Sequence, residues 1–587
     1  MGPKASDLLV PLFALLPVSC GDAEGGGPER LSALVITLDT TRHDALSCTG
    51  GPPGISPNLD GLAAEGVLYE RARTVCPLTM PAHASILTGL YPPRHTVRTN
   101  SQLALPESAD TLAERASARG VQTGAFVASV VLAHGFGLEQ GFDEYDQPTP
   151  PLVQQTVHYD RRRAREVADA AIVWLEERDP ERPFLMWVHF FDPHLPHQPP
   201  QRFLELAKGD TYHAEVAAMD FAIGRILDAL RDEGVYDETM IVVVADHGEG
   251  RTQHGEDTHG TLVYDSTLHV PMIVRHPDGW RAGERSDEVV SVVDVFPTLV
   301  EALELGNPGD VDGQSLFRRQ VAEDRGVYFE SYYGFLSFGW SPLAGWADAR
   351  AKYVHGATPE LFDTRADPGE LRNLYGDAAR DTGRYREAIG RLAARKCLER
   401  SPDDVAAVRR LQQLQDLGYT GSAAGADGLP HPLEPTDLPA PQERKKAFQD
   451  LMRAQELNVA GRHEDAIRIY RRIVSENPRN HNAWFQLGAA LIVVERYGES
   501  IEASSRSLDL YEWHGSRKNL GLAHAHLEHW EQALEHYDRA LAIEPNLVEV
   551  VDPIILILGK LGRESEAPRY HAFQIRAREK QLAGEAQ

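Results

Sequence analysis

Short apolar runs rich in β-branched and aromatic residues recur through the first two thirds of the chain. LSALVITL (31–38), VQTGAFVA (121–128), PFLMWVHFF (183–191), TMIVVVA (239–245) and VPMIVRH (270–276) read as strands, and their near-continuous hydrophobicity suits burial on both faces. Between them lie stretches such as AREVADAAIVWLEER and AEVAAMDFAIGRILDALRDEG, whose apolar positions follow the helical period. This alternation predicts an α/β body over residues 31–420, with helices flanking a mostly parallel central sheet.

The pattern changes at residues 421–445, where five prolines fall between 430 and 441, which predicts a stiff, extended linker. Beyond it a repeat begins. Ala466, Ser500, Ala533 and Ala567 recur at intervals of 34, 33 and 34 residues, in phrases such as HEDAIRIY and WEQALEHY. Leu487-Gly488 and Leu520-Gly521 share the period. This resembles tetratricopeptide repeats, in which small residues let paired helices approach closely. It predicts an all-α solenoid over 446–580, with about three repeats and a degenerate C-terminal cap. Trp484 and Trp530 fall where repeat helices pack together.

The first 30 residues form a third kind of segment. Lys4 precedes LLVPLFALLPV, which runs through LPVSC to Cys20 and a Gly-rich tether. The stretch has the length of a signal-peptide core and resembles a bacterial lipoprotein signal, with Cys20 as the acylated residue; simple secretion is the alternative. The expectation is a periplasmic or cell-envelope protein that meets the membrane only through an N-terminal lipid. No apolar run reaches the roughly 18 residues that a spanning helix requires.

The charge balance narrows the partners. The chain has 587 residues, with 59 basic and 87 acidic side chains and a net charge of −28, which argues against a broad electrostatic grip on nucleic acid. Four cysteines with no CxxC pair exclude a disulfide scaffold and a thiolate zinc site.

Chemistry gathers where the predicted strands end, the place where ligands collect in parallel sheets. LSALVITL runs into Asp39, with Thr40, Arg42 and Asp44 behind it. TMIVVVA runs into Asp246-His247-Gly248-Glu249, and PFLMWVHFF, which contains His189, runs into Asp192-Pro193-His194. A fourth piece, TVCPLTMPAHASILTGLYPPRH, places Thr79 at the start of a helix that Pro81 opens and Gly89 ends. A threonine hydroxyl is a weak nucleophile until a divalent metal lowers its pKa, and Asp39, Asp246 and His247 are the ligands on offer.

In this order, ALVITLDTTRHDALSCTG, PLTMPAHASILTGLYPPRHTVRTN, MWVHFFDPHLPHQPP, VVVADHGEGRTQHGEDTHGTLVYDSTLHVPMIV, VVDVFPTL and LFDTRADPGELRNL resemble the sulfatase family of the alkaline phosphatase superfamily over residues 30–420. The resemblance implies an alkaline-phosphatase-like fold and a metal-dependent ester hydrolase. Sulfatases carry Cys or Ser in C/S-x-P-x-R and oxidise it to formylglycine; here that position is Thr79, with Pro81 matching the proline and His83 in place of the arginine. Threonine cannot become formylglycine, and Cys76 lacks the following motif. Thr40 also stands where many sulfatases have a second aspartate.

The resemblance implies that Asp39, Thr79, Asp246 and His247 bind metal, and that His83 orients Thr79 or stabilises its alkoxide. It implies that His194 touches the ester's non-bridging oxygens and that His259 contacts the anion or protonates the leaving group. Arg42 and Asn100 are weaker candidates for oxygen contacts. His254 divides evenly between site and surface loop, His189 reads as a packed core histidine, and Asp192 as a loop-shaping residue. The cofactor expected is one or two divalent ions. Zinc is favoured over manganese or calcium, and a second ion would draw on His194, His254 and His259.

The expected reaction is hydrolysis of a small anionic phosphate ester, a phosphodiester or phosphonate monoester, through a covalent phospho-threonine. The alternatives are a sulfuric ester hydrolase, a head-group phosphotransferase, and an interaction protein in which the repeats bind a protein partner or self-associate beside an inactive hydrolase body. The aromatic segment GFLSFGWSPLAGW (334–346) reads equally as a pocket wall or a buried loop.

Overall fold

The computed structural model describes residues 31–100, 104–147, 162–318, 325–377, 381–400, 429–543 and 547–571. The leader with Cys20 and most of the loop 146–165 lie outside the described residues.

Among the described residues twelve strands form two sheets: β1 Ser32–Leu38, β2 Val67–Arg73, β3 Gln122–Phe126, β4 Glu144–Asp146, β5 Phe184–Phe190, β6 Thr239–Ala245, β7 Met272–Arg275, β8 Glu284–Ser291, β9 Gly326–Ser331, β10 Leu343–Asp348, β11 Lys352–His355 and β12 Glu360–Phe362. The first eight make one sheet in the order β4-β3-β5-β1-β6-β7-β2-β8. The predicted apolar runs supply its centre: β1 lies between β5 and β6 and is parallel to both, and all three are fully buried. VPMIVRH does form a strand, β7, but it runs antiparallel to β6 and β2, so the sheet is mostly rather than wholly parallel.

The amphipathic stretches become the helices Ala164–Glu177 and Thr211–Asp232, whose apolar stripes cover the sheet. β9 to β12 form a second, antiparallel sheet, in the order β12-β11-β10-β9.

The periodic region folds as paired helices: Lys445–Val459 with His463–Glu476, His481–Val493 with Tyr497–Leu510, and His514–His526 with Trp530–Ile543, followed by Val551–Leu561. The repeated small residues Ala466, Ser500 and Ala533 are fully buried. A Cβ on Gly488 would fall 2.3 Å from Ser504 Oγ, and one on Gly521 would fall 2.6 Å from the Tyr537 ring, so glycine is what lets each pair close. Trp484 and Trp530 pack against the helical cores.

The repeats do not hang from a free spacer. Residues 429–444 run along the α/β body, where Ser341 N–H donates to Pro439 O at 2.9 Å and Tyr332 hydroxyl donates to Pro430 O at 2.9 Å. The aromatic segment is buried by the repeats: Phe338 and Trp340 share one core with Phe448, Leu451, Tyr470 and Leu487, and Asn477 Nδ2 donates to Phe338 O at 2.6 Å. The described residues of the α/β body and of the repeats therefore make one compact unit. Among the described residues no helix is long and apolar enough to cross a membrane.

Gly521→Val should lower stability by about 1–3 kcal/mol through overpacking against Tyr537. Gly498→Ala, with nothing within 4 Å of the added carbon, should be neutral or stabilising by up to about 1 kcal/mol. Urea midpoints check both, and equal midpoints for the two variants would contradict the packing account.

Candidate active site

Three chain segments meet beyond the carboxyl ends of β1 and β6. Asp39 follows β1, and its amide donates to Phe190 O at 2.9 Å at the end of β5. Asp246 follows β6, and its amide donates to Leu38 O at 3.2 Å. Gly248 is required here, because a Cβ on it would lie 2.3 Å from Ser266 O. The third segment is the helix Thr79–Thr88, closed by Gly89 in the left-handed region at φ 69. Asp39, His83, His189, Asp246 and His247 have no exposed surface, and Thr79 is 2% exposed.

Thr79 is the first helical residue, and its hydroxyl caps nothing. Asn100 does part of that work, since its Oδ1 accepts from Met80 N–H at 2.9 Å, so Asn100 braces the helix start. Thr79 Oγ1 lies 3.4 Å from His247 Nε2. The same nitrogen is 3.6 Å from Asp246 Oδ2 and 3.8 Å from Asp39 Oδ1. His247 Nδ1 donates to Gly248 O at 2.9 Å, because a carbonyl can only accept, and this leaves the Nε2 lone pair facing the carboxylates. Fixing the tautomer by a carbonyl on the far nitrogen is how metal-binding imidazoles are oriented.

Both oxygens of Asp39 and Oδ2 of Asp246 are buried without a hydrogen-bond partner. Two facing carboxylates at zero exposure are costly unless a cation or a proton lies between them. Burial and then the charge of Asp39 push Asp246 well above the usual carboxylate range. Burial pushes Asp39 the same way, but the His189 imidazole facing it at 3.4 Å and the nearby His194 and His247 imidazoles hold it below that range. Burial keeps His247 neutral, with its pKa pushed down to about 3, as a ligand requires.

Asp39, Asp246 and His247 bring their ligand atoms within 4.8 Å of one another. These residues fit a divalent cation. The donor set mixes carboxylate oxygens with an imidazole nitrogen.

A second set, His83, His189 and Asp246, meets the same distance, but its hydrogen bonds commit the imidazoles elsewhere. His83 Nδ1 donates to Thr79 O at 2.8 Å. Its Nε2 receives the Thr37 hydroxyl at 2.9 Å, and the Thr37 oxygen in turn accepts from Trp187 Nε1 at 2.9 Å. Of the two roles expected for His83, the geometry supports orienting Thr79, by its backbone, and not contact with an alkoxide. His189 Nδ1 accepts from Ala128 N–H at 3.2 Å, so Nε2 carries the proton and points at Asp39 Oδ2, 3.4 Å away. His189 is a core histidine, and it also steadies a carboxylate of the site. The strand register sets it opposite Thr37, two residues before Asp39, a pairing that no feature of the sequence marks.

His194 and His259 border the cluster. The His259 ring centroid is 4.4 Å from that of His247 and 5.3 Å from that of His194. Burial alone would lower the His259 pKa, but Glu249, 3.3 Å from its Nδ1, holds it above the ordinary value. His194 stacks on Phe191 at 4.3 Å, and its Nδ1 donates to Leu195 O at 2.6 Å. His254 stands apart, stacked on Tyr264 at 3.7 Å. Among the described residues His194, His254 and His259 do not bring their three ligand atoms within 4.8 Å of one another.

Three remaining residues are structural. Arg42 is tied to both Asp44 oxygens at 2.7 Å and to Glu249 O at 3.1 Å. Asp192 Oδ2 accepts from Ala164 N–H at 2.9 Å and so braces the start of the preceding helix, Ala164–Glu177. Cys76 is buried, and burial pushes its thiol well above the ordinary range.

Removing the carboxylate of Asp39 (Asp39→Asn) should weaken zinc binding by more than the ~10–100-fold expected for removing an outer partner, as in His189→Gln. Calorimetric titration of the metal-stripped protein checks this, and an Asp39→Asn protein that binds zinc like the wild type would refute the ligand set.

Sequence comparisons agree with this geometry. Residues 32–305 match the sulfatase family, residues 258–386 match the C-terminal region of N-sulphoglucosamine sulphohydrolase, and residues 449–490 and 516–547 match tetratricopeptide repeats. The chain is 26% identical over 427 residues to an uncharacterized sulfatase of Escherichia coli, covering 60% of this chain and 84% of that protein. It is 24% identical over 501 residues to an N-acetylglucosamine-6-O-sulfatase of Bacteroides thetaiotaomicron, covering 64% and 88%.

Two solved structures share the fold. One, in complex with its substrate D-glucosamine-2-N,6-O-disulfate, matches with a TM-score of 0.53 at 21% identity, over 62% of this chain and 97% of that one. The phosphonate monoester hydrolase of Agrobacterium radiobacter matches with a TM-score of 0.52 at 24% identity, over 62% and 96%. With its strand-end carboxylates, its buried imidazole and a sheet of this order, the chain carries a sulfatase-family hydrolase domain, with tetratricopeptide repeats after it.

Proposed function

We propose that this protein hydrolyses a small anionic ester with Thr79 as the nucleophile. The observation that carries the reading is the position of Thr79 Oγ1, 3.4 Å from His247 Nε2, at the point where the unpartnered oxygens of Asp39 and Asp246 converge. A divalent cation held by these groups would lower the pKa of an alcohol beside it and offset charge on the ester oxygens.

The chain's own residues supply the rest. His83 fixes the backbone of Thr79 and so aims the hydroxyl, which gives its proton to solvent before attack. The Thr79 oxygen bonds to the central atom of the ester in line as the bond to the alcohol breaks. His259, which faces the Glu249 carboxylate, gives a proton to the departing oxygen. Water then attacks the threonine-bound group and gives a proton to His259 as the bond to the Thr79 oxygen breaks, and that oxygen takes back a proton from solvent, restoring the hydroxyl. His194 lies beside His259, where it can touch the non-bridging oxygens.

The names of the relatives favour a sulfuric ester over a phosphoric one. One residue speaks for phosphorus: Thr79 cannot supply the formylglycine on which sulfatases depend, whereas a phospho-threonine can form and be hydrolysed. Paired assays on an aryl sulfate, an aryl phosphodiester and a phosphonate monoester rank the classes.

Thr79→Ala should lower kcat/KM on the preferred ester by at least about 1,000-fold, the scale of losing a nucleophile. Full activity of that variant on all three esters would overturn the reading.

A further inference from the structure

Two segments of the α/β body touch the repeats, and both run back to the candidate site. The first is the loop after Glu249. Arg251, Thr252 and His254 all adopt left-handed backbone, with φ of 46°, 70° and 54°, a conformation that persists only where the surroundings hold it. Inside the loop, Gly250 N–H donates to Thr258 O at 2.6 Å and Thr252 N–H to Glu256 O at 2.9 Å. The buried Glu256 carboxylate collects the amides of Thr261 and Leu262 at 2.8 and 3.1 Å.

The tip of this loop is supported from outside. His254 lies on Tyr264, and the stem of Lys445, the first residue of the helix Lys445–Val459, crosses Gly255 so closely that a Cβ there would fall 2.5 Å from Lys445 Cδ. Behind the tip, Gln253 Oε1 accepts from Arg42 Nη1 at 3.2 Å, and Arg42 also holds Glu249 O. Glu249 is the carboxylate paired with His259.

The second segment is built on Tyr333. A Cβ on Gly260, which has φ 105°, would lie 3.2 Å from Leu78 Cδ2 and 3.3 Å from the Tyr333 ring. Leu78 precedes Thr79, and Gly260 follows His259. Tyr333 packs against both the sheet core and the first repeat core, and its ring centroid is 5.4 Å from that of Phe338.

We propose that Lys445 and Tyr333 are positioning residues through which the repeat array holds the loops carrying Thr79 and His259. The array is then a working part of the hydrolase and not an appended adaptor. This rests on the roles given above to Thr79 and His259. Small displacements of reacting groups carry large rate penalties, and supports remote from the chemistry can move turnover without moving binding.

The test uses the full-length protein with Lys445→Ala and Tyr333→Ala, beside Lys445→Met and Tyr333→Phe, which keep the stem and the ring. The alanine variants should lose about 10-fold or more in kcat with KM within about 2-fold, retain their bound metal, and exchange backbone hydrogens faster over residues 250–260. The conservative variants should recover the wild-type values.

Unchanged kcat and unchanged exchange in both alanine variants would overturn the proposal. So would a loss that the conservative variants fail to recover. The hydrogen-exchange comparison needs no substrate, so it answers this question even if Thr79→Ala shows that the nucleophile has been misidentified.

Discussion

Two carboxylates, Asp39 and Asp246, face one another with no exposed surface and three oxygens unpartnered. Leaving such charge buried costs several kcal/mol per ion on the usual order of magnitude, and the surrounding architecture is arranged around that cost. The two residues end adjacent parallel strands, so the sheet register itself sets their separation. His247 presents a lone pair because a backbone carbonyl takes its other nitrogen, and His189 presents a proton because a backbone amide takes its other nitrogen. One imidazole is thereby free to serve a cation while the other turns a proton toward the carboxylate, although both are buried side chains of one residue type.

Thr79, the proposed nucleophile, is placed by a different route. A chain of donors runs from Trp187 through Thr37 and His83 to the carbonyl of Thr79, fastening the start of its helix to the central strand. Because His83 binds the backbone, the Thr79 hydroxyl is left to chemistry. On the far side, Leu78 and Gly260 meet under Tyr333, and there the catalytic body joins the core of the repeats. Sheet, nucleophile helix and helical array therefore share one packed interior.

Much of this was legible in the sequence. Asp39, Thr79, Asp246 and His247 could be found because each sits at a junction that leaves a mark, such as the polar residue after an apolar strand run or the threonine before a proline-opened helix. The repeats were legible through a strict spacing of small residues, and the structure explains the spacing by the gap that Gly488 and Gly521 fill. Tertiary pairing leaves no such mark. His189 is one histidine in an apolar run, and its contact with Asp39 depends on which strand lies beside β5. The orientation of β7 is decided by its neighbours, and β8, whose sequence ERSDEVVS is mostly polar, has no apolar run to announce it. GFLSFGW was ambiguous for the same reason, since aromatic residues bury equally well against a ligand or against another domain.

The claim on which the rest stands is that one dication sits among Asp39, Asp246, His247 and Thr79. Anomalous diffraction from crystals of the protein loaded with zinc, recorded on either side of the absorption edge, tests it most directly. The account predicts one strong peak enclosed by those four side chains and none between His83 and His189. A map without a peak there, or with the ion bound only by His194, His254 and His259, would contradict it.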